Sequence, residues 1–229
     1  MLGKVLRLAK LIRRDSTHEY IFNVPIKVSS GKICSVNERI IELPMIQQYL
    51  SDLPPEKRIL EFGCTRSWLS LAMATMGHQV IGVDLRDYDV KHPNFKFYKG
   101  EIQKLQLEPV DCIVSVSTLE HVGIGAYKEQ VNDAALTEVL NKLHQLLIDG
   151  GWLLLTVPVG IPQQDNFQRV FAPEELSSLL KSHGFEIEQA EYFTRSDELT
   201  WLRTGPHKLQ EGKYSSGVSS VACIKCIRN

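Results

Sequence analysis

Short apolar runs alternate with stretches whose apolar residues recur every three or four positions, and the alternation becomes regular from residue 58 onward. "RILEFG" has the length and apolarity of a strand, and "SWLSLAMATMG" has a helical pattern closed by Gly77. "QVIGVD" is a second strand ending in an acid, and "FKFYKG" a third after the Pro93-Asn94 turn. "DCIVSVS" is a fourth, too apolar on both faces for a sheet with one side in water. From Asp133, residues Leu136, Val139, Leu140, Leu143, Leu146 and Leu147 make one apolar helical face, stopped by the "DGG" at 149–151. "WLLLTVP" is a fifth strand, and "APEELSSLLKSHG" a helix with Pro173 in its first turn and Gly184 at its end. "FEIEQAEYF" and "VSSVACIKCIR" are two more strands. Upstream, "EYIFNVPIKVSSGKICSV" reads as a strand or hairpin, and "IIELPMIQQYLSDL" as a helix interrupted or started by Pro44.

Strands alternating with helices predict an α/β fold: one doubly wound, mostly parallel seven-stranded sheet with helices on both faces. Residues 194–217, between the last two strands, show no crossover helix, so those strands are expected to pair antiparallel around an irregular excursion. Residues 1–50 are expected to form an N-terminal helical and strand extension packed on a domain over 51–229.

Composition narrows the partners. At 229 residues and 43% hydrophobic content the chain can bury a full core, and 26 Lys plus Arg against 27 Asp plus Glu give no global field that would attract nucleic acid. Five cysteines, an odd number set among apolar neighbours, suit buried thiols in a reducing compartment, so a cytoplasmic location is expected. The "CIKC" pair lies in an apparent strand, where residues three apart face opposite sides, and no metal is expected there. No apolar run is long enough to span a membrane. The opening "MLGKVLRLAKLIRRD" reads as a basic amphipathic helix, either touching an anionic membrane surface peripherally or packed on the domain. The oligomeric state is not specified by any of these patterns.

Candidate chemistry follows from the fold. In an open α/β sheet the ligand crevice lies beyond the carboxyl ends of the strands at the point where their order reverses, which selects residues 61–67, 84–87, 100–102 and 115–121. Asp84 stands about twenty residues after Gly63, where a carboxylate takes the hydroxyls of an adenosine ribose. The dinucleotide fingerprint would need glycines at Thr65 and Trp68, and Glu61 adds negative charge where phosphates would sit, so NAD and FAD are disfavoured. An adenosine ligand with a cationic amino-acid end suits the loop better.

The order "ILEFGCTRS", "VIGVDLRD", "GEIQKL", "DCIVSVSTLEHVG" and "LHQLLIDGGWLLLTVP" resembles the class I S-adenosylmethionine-dependent methyltransferases, whose fold is Rossmann-like with an antiparallel last strand. The resemblance runs from about Leu60 to the C-terminus. It implies methyl transfer from S-adenosyl-L-methionine with no metal. It places Glu61, Gly63, Cys64 and Thr65 in the cofactor loop, Asp84 at the ribose with Leu85 beside the adenine, and Glu101 and Ile102 at the adenine amino group. Ser115 and Ser117 fall at the end of the fourth strand. Thr65 and Ser67 stand where the family carries glycines, and Arg66 is a further candidate for the cofactor carboxylate. His121 in "TLEHVGIG" is the candidate general base, with Glu120 orienting it or capping a helix. Tyr127, Asn166, Arg169 and Trp201 are candidate contacts to a small-molecule acceptor. The expected reaction is transfer to an oxygen or nitrogen of a small molecule, a saccharide being one candidate because "NFQRVF" loosely resembles sugar-pathway enzymes. The alternatives are a catalytically silent binding module and a protein methyltransferase.

Overall fold

The computed structural model describes residues 19–21, 24–26, 36–65, 67–127, 129–209, 214 and 217–229. The basic stretch at the N-terminus and Arg66 lie outside them. Two short strands, β1 (Glu19–Ile21) and β2 (Val24–Ile26), pair antiparallel. Helix α1 (Arg39–Ser51) runs through Pro44 and is not started by it. It leads into β3 (Arg58–Phe62), α2 (Leu69–Thr75), β4 (Gln79–Asp84), β5 (Phe95–Lys99) and β6 (Val110–Val116). Then come α3 (Ala135–Leu146), β7 (Leu147–Pro158), a minor ribbon of β8 (Gln163–Gln164) and β9 (Arg169–Val170), and α4 (Pro173–Ser182). The chain closes with β10 (Phe185–Arg195), β11 (Trp201–Thr204) and β12 (Ser220–Arg228).

The main sheet has the order β11-β10-β12-β7-β6-β3-β4-β5. Pairs from β7 to β5 are parallel, while β12 is inserted antiparallel between β7 and β10. The expected seven strands are therefore joined by an eighth. Part of the excursion after β10 folds back as β11 and pairs Arg195 with Trp201 and Tyr192 with Thr204, too short a run for its alternation to stand out. The "DGG" is also not a plain stop. Val110 pairs with Leu147 and Cys112 already with Trp152, so residues 148–151 bulge from β7, with Gly150 at φ +72.

Strand alternation divides the core into two layers. Ile59, Val80, Cys112, Val114, Leu154 and Cys223 face Leu43, Ile46, Tyr49 and Leu50 of α1 and Leu69 and Met73 of α2. Their neighbours Leu60, Ile113, Leu153, Leu155, Ile224 and Cys226 face Val139, Leu140 and Leu143 of α3 and Leu176 and Leu180 of α4. Cys223 and Cys226 thus lie on opposite faces of one strand. The parallel strands end in the same direction, and the order reverses between β3 and β6.

Candidate active site

At that reversal lies a cavity of about 640 Å³, bounded by the ends of β3, β4 and β6, the start of α1 and the loops after β6 and β7. Its shape begins with Gly63. The backbone there has φ +82, and a side chain would run into Thr118, so only glycine lets β3 turn this closely under the loop after β6. The loop is pinned to the neighbouring strand: the amide of Gly63 donates to the Val83 carbonyl at 2.8 Å and the amide of Thr65 to Asp84 Oδ2 at 2.9 Å. Ser67 Oγ accepts the Leu69 amide at 3.0 Å and closes the first turn of α2.

Asp84 is the most heavily bonded carboxylate of the site. Oδ1 accepts from the amide and Nε of Arg86 at 2.9 and 3.1 Å, and Oδ2 from Arg86 Nη2 at 3.2 Å beside the Thr65 amide. Burial alone would raise its pKa, but these hydrogen bonds outweigh that and hold it below the usual carboxylate range. A carboxylate offers about four lone-pair positions. All of Asp84's are in use here, so a ligand diol reaches it only when the Arg86 guanidinium swings away. Deeper in, Glu61 is buried beside Ser70, whose hydroxyl donates to it, and burial pushes its carboxyl up to about 7. Thr65 Oγ1 is buried on the cavity wall without a partner, an open hydrogen-bonding position for a polar ligand.

The opposite wall comes from α1 and the loop after β6. Ser117 adopts φ +42 and is held there from two sides: its amide donates to Thr156, and its Oγ donates to Glu42 Oε1 at 2.6 Å. Thr156 Oγ1 donates to the same oxygen at 2.7 Å, while Arg39 Nη1 lies 3.1 Å from Glu42 Oε2. His121 sits in the 3-10 turn Leu119–His121 with Nδ1 2.6 Å from the Phe167 carbonyl. A carbonyl only accepts, so Nδ1 carries the proton and Nε2 keeps its lone pair, 3.7 Å from Glu120 Oε1. Burial, reinforced by Arg39 and Arg86, holds the ring's pKa below the ordinary histidine value against the pull of the Phe167 carbonyl. The rings of Tyr127 and Phe167 lie 5.3 and 4.8 Å from His121, and Arg86 stacks 4.6 Å above Tyr127.

Of the residues singled out from sequence, Glu61, Gly63, Thr65, Asp84, Leu85, Glu101, Ile102, Ser117, His121 and Tyr127 line this one cavity. Cys64 is buried with its sulfur against the Gly82 backbone, and Ser115 is buried with an unpartnered hydroxyl; both stand behind the lining. Asn166 is exposed on the loop, and Arg169 braces the wall by donating to the Val122 carbonyl at 3.1 Å. Trp201 belongs to the far edge strand, where Arg195 stacks on it at 4.5 Å. Sequence reading missed Glu38, Arg39, Glu42 and Arg86. For the first three the signal was "NERIIEL", a run that puts acids at both ends of the first turn of an otherwise apolar helix.

Residues 43–190 match a family described as a methyltransferase domain. No curated protein sequence matches the chain. Among solved structures, the 1,6-didemethyltoxoflavin-N1-methyltransferase of Burkholderia thailandensis, with 1,6-didemethyltoxoflavin and S-adenosylhomocysteine bound, is 18% identical. That match covers 84% of this chain and 80% of the other with a TM-score of 0.59. The N-methyltransferase NodS of Bradyrhizobium japonicum, in complex with S-adenosylhomocysteine, is 13% identical over 83% of this chain and 87% of its own, with a TM-score of 0.54. An S-adenosylmethionine-dependent methyltransferase from Mesorhizobium loti is 18% identical over 82% and 97%, with a TM-score of 0.55. At such identities the likeness is one of fold.

Proposed function

This chain belongs to the methyltransferase-domain family, as a class I S-adenosylmethionine-dependent methyltransferase, and on that premise we propose that it methylates an oxygen or nitrogen of a small molecule with His121 as general base. The donor set fits the cofactor. Asp84 would hold the ribose once Arg86 moves off, Leu85, Glu101 and Ile102 would border the adenine, and Glu61, Gly63 and Thr65 would meet the amino-acid end, with Cys64 and Ser115 supporting them from behind. Bound there, S-adenosylmethionine supplies an electrophilic methyl carbon on a sulfonium. The observation that carries the reading is the fixed tautomer of His121, which leaves Nε2 as the proton acceptor on the wall of the same cavity.

The chain's own work is placement and proton removal. Ser117, held at the end of β6 by Glu42 and Thr156, and Thr118, which donates to the Val116 carbonyl, shape the floor, and Tyr127 and Phe167 shield His121 from water. His121 would take the acceptor's proton on Nε2 and so free the nucleophile's lone pair. Because its pKa is lowered, the acid limb of kcat falls below the ordinary histidine value of about 6.5. With acceptor saturating, turnover is lost only as the pH drops through that lower value. A panel of small hydroxyl and amine acceptors, read by release of S-adenosylhomocysteine, tests this. His121→Asn is expected to lower kcat about a hundredfold and abolish the acid limb, with cofactor affinity within about twofold. An undiminished variant would remove His121 from the chemistry, and methyl label found only on protein would favour the protein-substrate alternative.

In the same reading, residues 1–50 are an extension on the catalytic domain of 51–229. Cys64, Cys112, Cys223 and Cys226, all buried and free, suit a cytoplasmic enzyme. The near-neutral charge supports a small molecule over nucleic acid. No helix among the described residues is long and apolar enough to cross a membrane.

A further inference from the structure

The acceptor end of the cavity holds more carboxylates than its cations can satisfy. Glu38 and Glu42 at the start of α1 and Glu120 from the turn after β6 surround a single guanidinium, that of Arg39, and Glu42 has taken it at 3.1 Å. The other cations nearby are engaged. Arg86 is on Asp84, Arg169 donates to the Val122 carbonyl and to Gln164 Oε1, and Arg195, whose charge also reaches Glu38, donates to the Val36 and Val218 carbonyls. Glu120 is 1% exposed, lines the cavity, and its Oε2 has no hydrogen-bond partner. Its other oxygen comes no nearer to His121 Nε2 than 3.7 Å. Glu38 Oε2 is likewise buried, unpartnered and part of the same wall.

Leaving a buried carboxylate oxygen without a donor is costly, and two beside one cavity mark the place where a ligand's donors belong. Once the two carboxyls are ionised, a neutral hydroxyl would satisfy one oxygen and leave the charge uncompensated. An anion would be repelled. A cation bearing two or more N–H groups meets both oxygens, and the Tyr127 and Phe167 rings, 6.3 Å apart beside His121, present the aromatic wall that suits such a group. We propose that the acceptor is an organic cation, a small molecule carrying an ammonium or amidinium group seated between Glu120 and Glu38. This rests on the methyltransferase reading only in naming the ligand as the acceptor.

Proton linkage follows. Burial, reinforced by Glu42, pushes Glu38 up to about 7, and burial raises Glu120 well above the usual range, with Glu42 and Glu38 adding to it and Arg39 opposing. Without a cation Glu38 is therefore partly protonated near neutrality, and an arriving cation displaces that proton. Cation affinity rises with pH from 6 to 8.

The test titrates benzamidinium, neutral benzamide and benzoate into the protein at pH 8, saturated with S-adenosylhomocysteine and also free of it, by ligand-observed NMR. Benzamidinium is expected to bind at least about tenfold more tightly than either isostere. Glu120→Gln, which keeps the shape and removes the charge, and Glu38→Gln should each shrink that preference severalfold without altering S-adenosylhomocysteine affinity. The proposal is overturned if the three probes bind alike, if none binds, or if Glu120→Gln keeps the full preference. Failure of S-adenosylhomocysteine to bind, with the amidinium preference intact on the ligand-free protein, would instead strike the methyltransferase reading.

Discussion

Arg86 occupies the carboxylate that the proposed function assigns to the cofactor ribose. On that proposal the guanidinium fills the positions the ribose would use, so cofactor binding would include the cost of moving Arg86. That cost is small because the Arg86 side chain is 35% exposed and water takes over its donors when it leaves. Arg86→Met is expected to tighten S-adenosylhomocysteine about two- to fivefold by titration calorimetry; weaker binding would mean that the guanidinium itself holds the ligand. Asp84 was legible in the sequence because a spacing rule ties an acid at the end of the second strand to the glycine after the first. Arg86 was not, since a charged residue two positions past a strand carries no signal of where its flexible side chain settles. His121 was legible as a titratable group after β6. Its tautomer was not, because the Phe167 carbonyl that fixes it comes from 46 residues away.

Strands buried on both faces announce themselves, which is why β3, β4, β6 and β7 could be placed from apolar runs alone, whereas β11 is four half-exposed or exposed residues. Helix α1 shows the opposite problem. Its apolar residues placed it as a helix, but Glu42 in their midst gave no hint that it is fully buried and ties together Ser117 of the β6 loop, Thr156 of β7 and Arg39. Removing that carboxylate strands two hydroxyls and a guanidinium. Glu42→Ala is expected to lower unfolding stability by about 3 kcal/mol in urea titration, with Glu42→Gln recovering part of it. A variant as stable as the wild type would show that water replaces the tie. Asn166, Arg169 and Trp201 were chosen because polar and aromatic residues in loops often meet ligands. The structure places Arg169 against the Val122 carbonyl and Trp201 against Arg195.

Over the whole molecule, a net charge of −1 hides a marked local imbalance: Glu38, Glu61, Asp84 and Glu120 line one cavity, where Arg39 and Arg86 are already paired with Glu42 and Asp84. Composition averages such clusters away, and only the fold, by turning the ends of β3, β4 and β6 toward the first turn of α1, assembles them. The same topology makes the central claim simple to test, because the proposed cofactor and acceptor sites occupy opposite walls of the cavity. The decisive measurement is calorimetric titration of S-adenosylmethionine into the wild-type chain and into Asp84→Asn. Saturable binding weakened about tenfold or more in the variant is the predicted result, since hydrogen bonds to a charged partner contribute about 1.5–3 kcal/mol. No binding to the wild type, or equal binding to both proteins, would contradict the account.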